Sequence, residues 1–329
     1  MLYIESPSVD PYFNLALEQY VFDSLDHRQE YFMLWQNKNA VIIGKNQNTI
    51  SEVNQAYIKD HNINVVRRLS GGGAVYHDLG NINFTFIVNA GTNKDFDFST
   101  FCTPIVKALA SFGISAKVCG RNDITINGMK FSGNAQYIKQ GRVMHHGTIM
   151  YDCDLDVMRQ ALASPKDKID SKGKKSVRSL VTNIKPHMPG DISVNEFLTA
   201  LRGFMFEEYN LQAYTLTTDD KKHTGDLQTA IYDTWEWNYG YSPACSIIKE
   251  RKVEGCGKLQ IHMDVENGLI SKIALFGDFF GNEDIRNLEN LMIGRRLEEH
   301  EIRESLAGKE IGQFFHNMDI ETFISIVMQ

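Results

Sequence analysis

The chain has 329 residues, 43% hydrophobic and 23% charged, with a formal net charge of −7. That length allows roughly two domains and a sizeable core, and the acidic balance argues against a protein that coats nucleic acid. Its five cysteines (Cys102, Cys119, Cys153, Cys245 and Cys256) form no Cys-x-x-Cys pair, so they read as free thiols of a reducing compartment rather than as a disulfide frame or a zinc site. The opening MLYIESPSVDPYF has neither a basic nor an apolar targeting region, and no window reaches the apolar length of a membrane span. A cytoplasmic protein with no membrane or nucleic-acid partner is expected.

In chain order, residues 10–25 predict a helix capped by Asp10, with Pro11 in its first turn and Phe13, Leu17, Tyr20, Val21 and Leu25 on one face. Strand-like runs follow at Tyr31–Trp35, Ala40–Ile43, Ile63–Arg68 and Ile82–Val88, then a helix over Cys102–Phe112. Asn127-Gly128 is a strong two-residue hairpin turn, and Gln140-Gly141 marks a second. Ser193-x-x-Glu196 is a capping-box signature that opens a helix to about Tyr209. Hairpins without regular strand–helix alternation favour an α+β sheet domain over a doubly wound one. From about residue 245 a second unit is expected. Lys258–Val265 and Leu269–Phe276 flank a turn at Asn267-Gly268, and helices follow around Asp284–Met292, Glu298–Leu306 and Asp319–Val327.

The stretch SPKDKIDSKGKKSVRSL, residues 164–180, carries Lys166, Lys168, Lys172, Lys174, Lys175 and Arg178 against two acids. It reads either as a solvated loop or as a basic flap that orders over a phosphate-bearing ligand. The glycine run of RRLSGGGAVYHD fits neither a P-loop nor a Rossmann fingerprint. A strand, two arginines, Ser-Gly-Gly-Gly and a second strand describe a hairpin whose tip exposes successive N–H groups, a nest for phosphate or carboxylate oxygens. Arg67 and Arg68 alternate across their strand, so only one faces that pocket.

Beyond the Asn127-Gly128 turn, period two puts Lys130 and Ser132 on one face and Met129 and Phe131 on the other, in the core. Lys130 is then either a solvent lysine or a point charge held beside a phosphate. Asp123 is either a turn-flanking residue or an oxygen ligand for Mg²⁺. His145 and His146 diverge on a strand and make no chelating pair, whereas His146 and Thr148 share a face near Lys130. His77 is a pocket residue or a satisfied core histidine.

The segments NLALEQYVF, LWQNKNAVIIGKNQN, RRLSGGGAVYHDLGNINFTF, RNDITINGMKFSGNAQY, HHGTIM and KSVRSLVTNI together resemble the lipoate–protein ligase family, in its long two-domain form. The resemblance covers most of residues 1–185, and the chain beyond 245 is similar to the family's accessory domain. It implies a mixed or antiparallel sheet catalytic domain of the biotin/lipoate ligase type over residues 1–244 and a small α+β accessory domain over 245–329. It implies ATP-driven formation of lipoyl-adenylate, and then lipoyl transfer to a lysine of an apo lipoyl domain (2-oxoacid dehydrogenase E2 subunits) or of glycine-cleavage H protein, by a monomeric enzyme. The catalytic residue carried over is Lys130. The implied nucleotide-binding set is Arg68, Ser70, Gly71, Gly72, Gly73, Ala74, Val75, Tyr76, Asn81, Asp123, Lys130 and Ser132, with Mg²⁺ at Asp123. The implied lipoate-binding set is Trp35, Arg68, Ser70, His77, Lys130, His146 and Thr148. Some members carry an arginine where this chain has Gln136-Tyr137, so that contact is not carried over. Two other functions compete: an ATP-independent octanoyl or lipoyl transferase, and a ligand-sensing repressor, for which the chain has neither a helix-turn-helix nor a basic footprint.

Overall fold

Apolar runs of strand length joined by tight turns fold, in the computed structural model, as the mixed sheet that their pattern predicts. The structure describes residues 1–89, 98–120, 122–162, 168–171, 180–277, 279 and 281–328. Its elements are β1 (Leu2–Glu5), α1 (Pro11–Asp23), β2 (Tyr31–Trp35), β3 (Ala40–Ile43), α2 (Thr49–Glu52), α3 (Gln55–Asp60), β4 (Asn64–Arg67), β5 (Val75–His77), β6 (Asn81–Asn89), α4 (Ser99–Ser111), β7 (Ala116–Cys119), β8 (Asp123–Ile126), β9 (Met129–Lys139) and β10 (Arg142–Met150). Then come α5 (Leu155–Ala161), β11 (Lys168–Ser171), α6 (Val194–Tyr209), β12 (Gln212–Ala213), α7 (Thr218–Leu227), β13 (Cys245–Val253), β14 (Gly257–Glu266), β15 (Leu269–Gly277), α8 (Ile285–Met292), α9 (Glu299–Ser305), α10 (Ile311–Phe314) and α11 (Ile320–Met328). They group into two compact units: residues 1–45, 64–158 and 176–234, and residues 46–63, 159–175 and 235–329.

The first unit holds an eight-stranded sheet in the order β12-β1-β2-β6-β10-β9-β8-β7. Its first three strands run parallel and the rest pair antiparallel. Phe32, Phe84, Phe86, Phe131 and Ile149 from the strands build one core with Ile105 and Leu109 of α4 and Phe197 and Leu201 of α6. Local chemistry sets the ends. Asp10 accepts from the Tyr12 N–H at 3.0 Å and Pro11 occupies the first turn of α1. Ser193 and Glu196 form both halves of the capping box of α6. Asn127 and Gly128 take φ values of 51° and 79°, the left-handed pair that a two-residue hairpin needs.

A smaller sheet, order β4-β3-β5, corrects the hairpin expected around the glycine run. Here β3 lies between β4, to which it is parallel, and β5, to which it is antiparallel. The glycines therefore cross the end of β3 instead of closing a hairpin. In the second unit the antiparallel order is β11-β13-β14-β15, and α8, α9 and α11 share its core with Leu259, Ile261 and Ile273. The basic stretch at 164–180 lies largely outside the described residues; its segment 168–171 is a strand paired with β13, which the loop reading did not foresee. Among the described residues no helix is long and apolar enough to cross a membrane.

Candidate active site

Arg68 organises the glycine run. Its side chain is buried, with Nε donating to Ser70 Oγ at 3.0 Å, Nη1 to the Ile42 carbonyl at 3.2 Å, and Nη2 to the carbonyls of Gly71 and Gly73 at 2.7 and 2.9 Å. Those carbonyls point at the guanidinium, so trans-peptide geometry turns the N–H groups of the next residues, Gly72 and Ala74, away from it. The N–H groups of Gly71, Gly72 and Gly73 have no partner among the described residues. Burial, partly offset by Glu18, brings the Arg68 pKa down to about 10, so it stays charged at neutral pH. Its neighbour Arg67 points elsewhere and donates to the carbonyls of Gly44 and Lys45 at 3.0 and 3.1 Å.

Two glycines are obligatory here. Gly72 has φ +96°, a conformation that favours glycine. Gly44, one residue past β3, has room for no side chain, because a Cβ there would lie 2.1 Å from the Gly72 carbonyl oxygen.

Beneath the loop the larger sheet offers a polar floor. Paired residues share a face, so Trp35, Asn83 and Thr148 make one row and Met33, Thr85, His146 and Ala135 the next. A buried hydrogen-bond chain ties floor to loop. Ser70 Oγ lies 2.6 Å from His146 Nε2, His146 Nδ1 lies 2.8 Å from Glu18 Oε1, Thr85 Oγ1 donates to Glu18 at 2.7 Å, and Trp35 Nε1 donates to Thr85 at 3.0 Å. The Glu18 carboxylate fixes the proton of His146 on Nδ1 and leaves Nε2 to accept from Ser70. His145 points to the other face, stacked on Phe101 with centroids 4.7 Å apart, so the two histidines diverge as expected.

His77 sits on a similar support. Asn14 Nδ2 donates to Asn37 Oδ1 at 2.9 Å, which turns Asn37 Nδ2 toward His77 Nδ1 at 3.1 Å. Nδ1 thus accepts and the proton sits on Nε2. On this floor the buried atoms His77 Nε2, Asn81 Oδ1 and Asn83 Nδ2 have no partner among the described residues. Leaving such a group unmet costs about 1–3 kcal/mol, so this floor has the form of half a hydrogen-bonded set.

Burial, with Arg68 and His146 adding to it, lowers the His77 pKa to about 3. An unfolded histidine binds its proton near 6.5 and the folded one does not, so stability is lost as pH falls from about 6.5 toward 3. Denaturant titrations should show this slope, at most about 1.4 kcal/mol per pH unit, and His77→Gln should flatten it; equal slopes in the two proteins would refute the assignment.

Lys130 and Asp123 stand at the edge of the floor. A β-bulge shifts the pairing, so that Ser132 lies opposite Ile124 and Lys130 opposite Thr125, with Phe131 left over. The bulge overturns the period-two expectation for this pair. Ser132 is fully buried and accepts from Asn134 Nδ2 at 3.3 Å, away from the ammonium. The Lys130 chain folds against bare Gly133, where a Cβ would lie 3.0 Å from both Cε and Nζ. Gly133 N–H donates to Thr148 Oγ1 at 3.1 Å, and a Cβ on Gly72 would lie 4.0 Å from that of Ala135. The ammonium and the glycine loop therefore share one strand face, about 7 Å apart along it. Lys130 Nζ pairs with Asp123 Oδ1 at 2.8 Å, with the side chains 27% and 32% exposed. Its backbone bonds Leu180 and Thr182, so the chain that emerges from the basic stretch runs beside it.

The structure thus brings Trp35, Arg68, Ser70, the glycines, His77, Asn81, Asp123, Lys130, His146 and Thr148 to one face or its rim, and turns Ser132 off it. Residues that the sequence reading missed are Glu18, Asn37, Gly44, Asn83 and Thr85. Glu18 had a signal: it lies one helical turn from Asn14, and both polar side chains sit among the buried positions of α1.

A loop with unpartnered N–H groups, a strand-borne ammonium and a polar floor together have the form of an anion-binding enzyme site. The lipoyl protein ligase A/B catalytic domain matches residues 10–205, and the bacterial lipoate protein ligase C-terminus matches residues 242–327. The chain belongs to the lipoate–protein ligase family. It is 40% identical to lipoate-protein ligase LplJ of Bacillus subtilis over 99% of this chain and 100% of that one. It is 42% identical to lipoate–protein ligase 1 of Staphylococcus aureus over 97% of each. Among solved structures, P. falciparum LipL1 in complex with lipoate is similar at TM-score 0.62 and 25% identity, over 99% of this chain and 98% of that one. The bipartite lipoate protein ligase of Thermoplasma acidophilum, described with its E2 lipoyl domain, gives TM-score 0.62 at 28% identity over 73% and 95%. A lipoate-protein ligase A bound with ATP gives TM-score 0.60 at 26% identity over 73% and 98%.

Proposed function

We propose that this chain is an ATP-dependent lipoate–protein ligase. A carboxylate oxygen of lipoate attacks the α-phosphorus of ATP, the bond to the bridging oxygen breaks, and pyrophosphate leaves. The neutral ε-amine of an acceptor lysine then attacks the acyl carbonyl, AMP leaves, and an amide forms. Neither step needs a nucleophile from the protein, so positioning and charge compensation carry the catalysis.

Lys130 is the compensating charge in both steps, released from Asp123 as the phosphate arrives. The N–H groups of Gly71, Gly72 and Gly73 bind phosphoryl oxygens, with Ala74 and the start of β5, Val75 and Tyr76, beside the nucleotide. His77, Asn81 and Asn83 offer their unpartnered atoms to the ligands, while Trp35, His146 and Thr148 border the lipoyl tail. That tail gains about 0.8 kcal/mol for each methylene buried. Mg²⁺ fits only as a nucleotide-borne ion: among the described residues no group of three His, Cys, Asp or Glu side chains could hold a metal, but one carboxylate plus substrate phosphates is a usual magnesium environment, and Asp123 would supply it. The ion would neutralise phosphate charge there.

Residues 1–244 are taken as the catalytic part and 245–329 as the accessory part. The acceptors are apo lipoyl domains, E2 subunits included, or H protein. Acyl exchange through Cys153 is disfavoured, because burial and Asp78 push its thiol well above its ordinary pKa.

One observation carries this reading: the ammonium of Lys130 shares a strand face with the loop that Arg68 holds open. Incubation with lipoate, ATP and Mg²⁺ should release pyrophosphate and add the lipoyl mass to an apo lipoyl domain or apo H protein. Modification of the acceptor from an acyl carrier without ATP would establish the transferase instead.

A further inference from the structure

Arg142 opens β10, at the other end of that strand from the cleft. It is four residues from His146, about 14 Å along the strand. The residue is 3% exposed, and among the described residues its Nε, Nη1 and Nη2 have no hydrogen-bond partner. The guanidinium carbon lies 5.9 Å from the ring centre of Phe22 and 5.6 Å from that of Tyr31. Aromatic rings attract a cation, but they supply no acceptor for its five N–H groups.

The nearby carboxylates are already engaged. Asp23 pairs with Lys139 at 2.9 Å, and Asp26 pairs with Arg28 at 2.8 Å. Three cations thus face two carboxylates, and the charge left over sits on the most buried of them. Burial accordingly holds the Arg142 pKa below its ordinary value. Beside it opens a cavity of about 250 Å³ bounded by Phe22, Asp23, His27, Lys139, Gln140 and Arg142. A desolvated charge without a counter-charge is strongly destabilising, so a fold that keeps one gains when an anion enters.

We propose that this pocket is a second ligand site, separate from the cleft, in which Arg142 binds a small oxyanion, either a phosphate or a short carboxylate. Both groups present two oxygens that match the guanidinium fork. The nitrogens are closed to solvent in this conformation, so an ion reaches them only as the exposed side chains of Lys139 and Gln140, which bound the cavity, swing aside. A free ion of a few atoms fits the cavity.

The test compares the full-length protein with Arg142→Met in thermal unfolding, in chloride, phosphate and acetate buffers of equal ionic strength. The wild type should gain about 3 °C in tens of millimolar phosphate, acetate or both, and Arg142→Met should gain none of that increment. The two arms identify the oxyanion. Phosphate that binds at the glycine loop stabilises both proteins alike, so only the difference between them reports on Arg142. In chloride the variant should be at least as stable as the wild type, having lost the uncompensated charge. Equal gains in the two proteins, or no gain in either, overturn the proposal. Should Arg142→Met fail to fold, wild-type crystals soaked in selenate decide: an anomalous peak within hydrogen-bond reach of the guanidinium supports the site, and none there overturns it.

Discussion

Lys130→Ala is expected to lower kcat/KM for lipoyl-adenylate formation by at least about 10³-fold while leaving the circular dichroism spectrum unchanged. Removing one preorganised donor from a developing oxyanion typically costs about 10²–10³-fold, and in the proposed mechanism the donor is a full charge used in both steps. The change also frees Asp123, whose carboxylate would then repel the incoming phosphates. The fold should survive, because the ion pair is partly exposed and such pairs contribute little stability. Lys130→Arg should recover only part of the loss, since a planar fork replaces a compact, rotatable ammonium. Pyrophosphate release measured against total protein decides the matter. Near-normal turnover in Lys130→Ala would remove the residue from the mechanism.

Gly44→Val should weaken ATP binding by about 10²-fold or more and lower the melting temperature by several degrees, in line with an overpacking penalty of about 1–3 kcal/mol. The added atoms meet backbone: the Gly72 carbonyl oxygen at 2.1 Å and carbon at 3.0 Å, with Arg68 Nη2 at 3.2 Å. Backbone cannot rotate aside as a long side chain would, so the loop must move. Gly203→Ala, in α6 with nothing within 4 Å of its Cβ, is the matched control and should bind ATP normally. Calorimetric titration of both variants with ATP is the measurement; unaltered affinity in Gly44→Val would show that the loop is a turn and not a cradle.

What could be read from the sequence was local. The Asp10 cap, the Ser193–Glu196 box and the Asn127-Gly128 and Asn267-Gly268 turns each rest on contacts within a few residues, and the structure has all of them. The parallel pairing of β3 with β4 joins residues about two dozen apart, and nothing in either strand announces its partner. The bulge at Phe131 was equally hidden. Strict alternation, the expectation for a strand, groups Ser132 with Lys130, and one extra residue reverses it for everything beyond. His146 and Thr148 lie past the next turn on an unbroken stretch of β10, and their shared face was found. Glu18 and Gly44 matter through contacts with residues 128 and 28 positions away, at His146 and Gly72. Only three dimensions reveal such neighbours.

The way Arg68 fills the inside of the glycine turn has a thermodynamic consequence. Should nucleotide bind there as proposed, little backbone disorder need be quenched on its arrival, because an internal template has cast the mould during folding. Affinity then reflects the fit of phosphate to a finished surface, and the heat of binding should carry little signature of a loop becoming ordered.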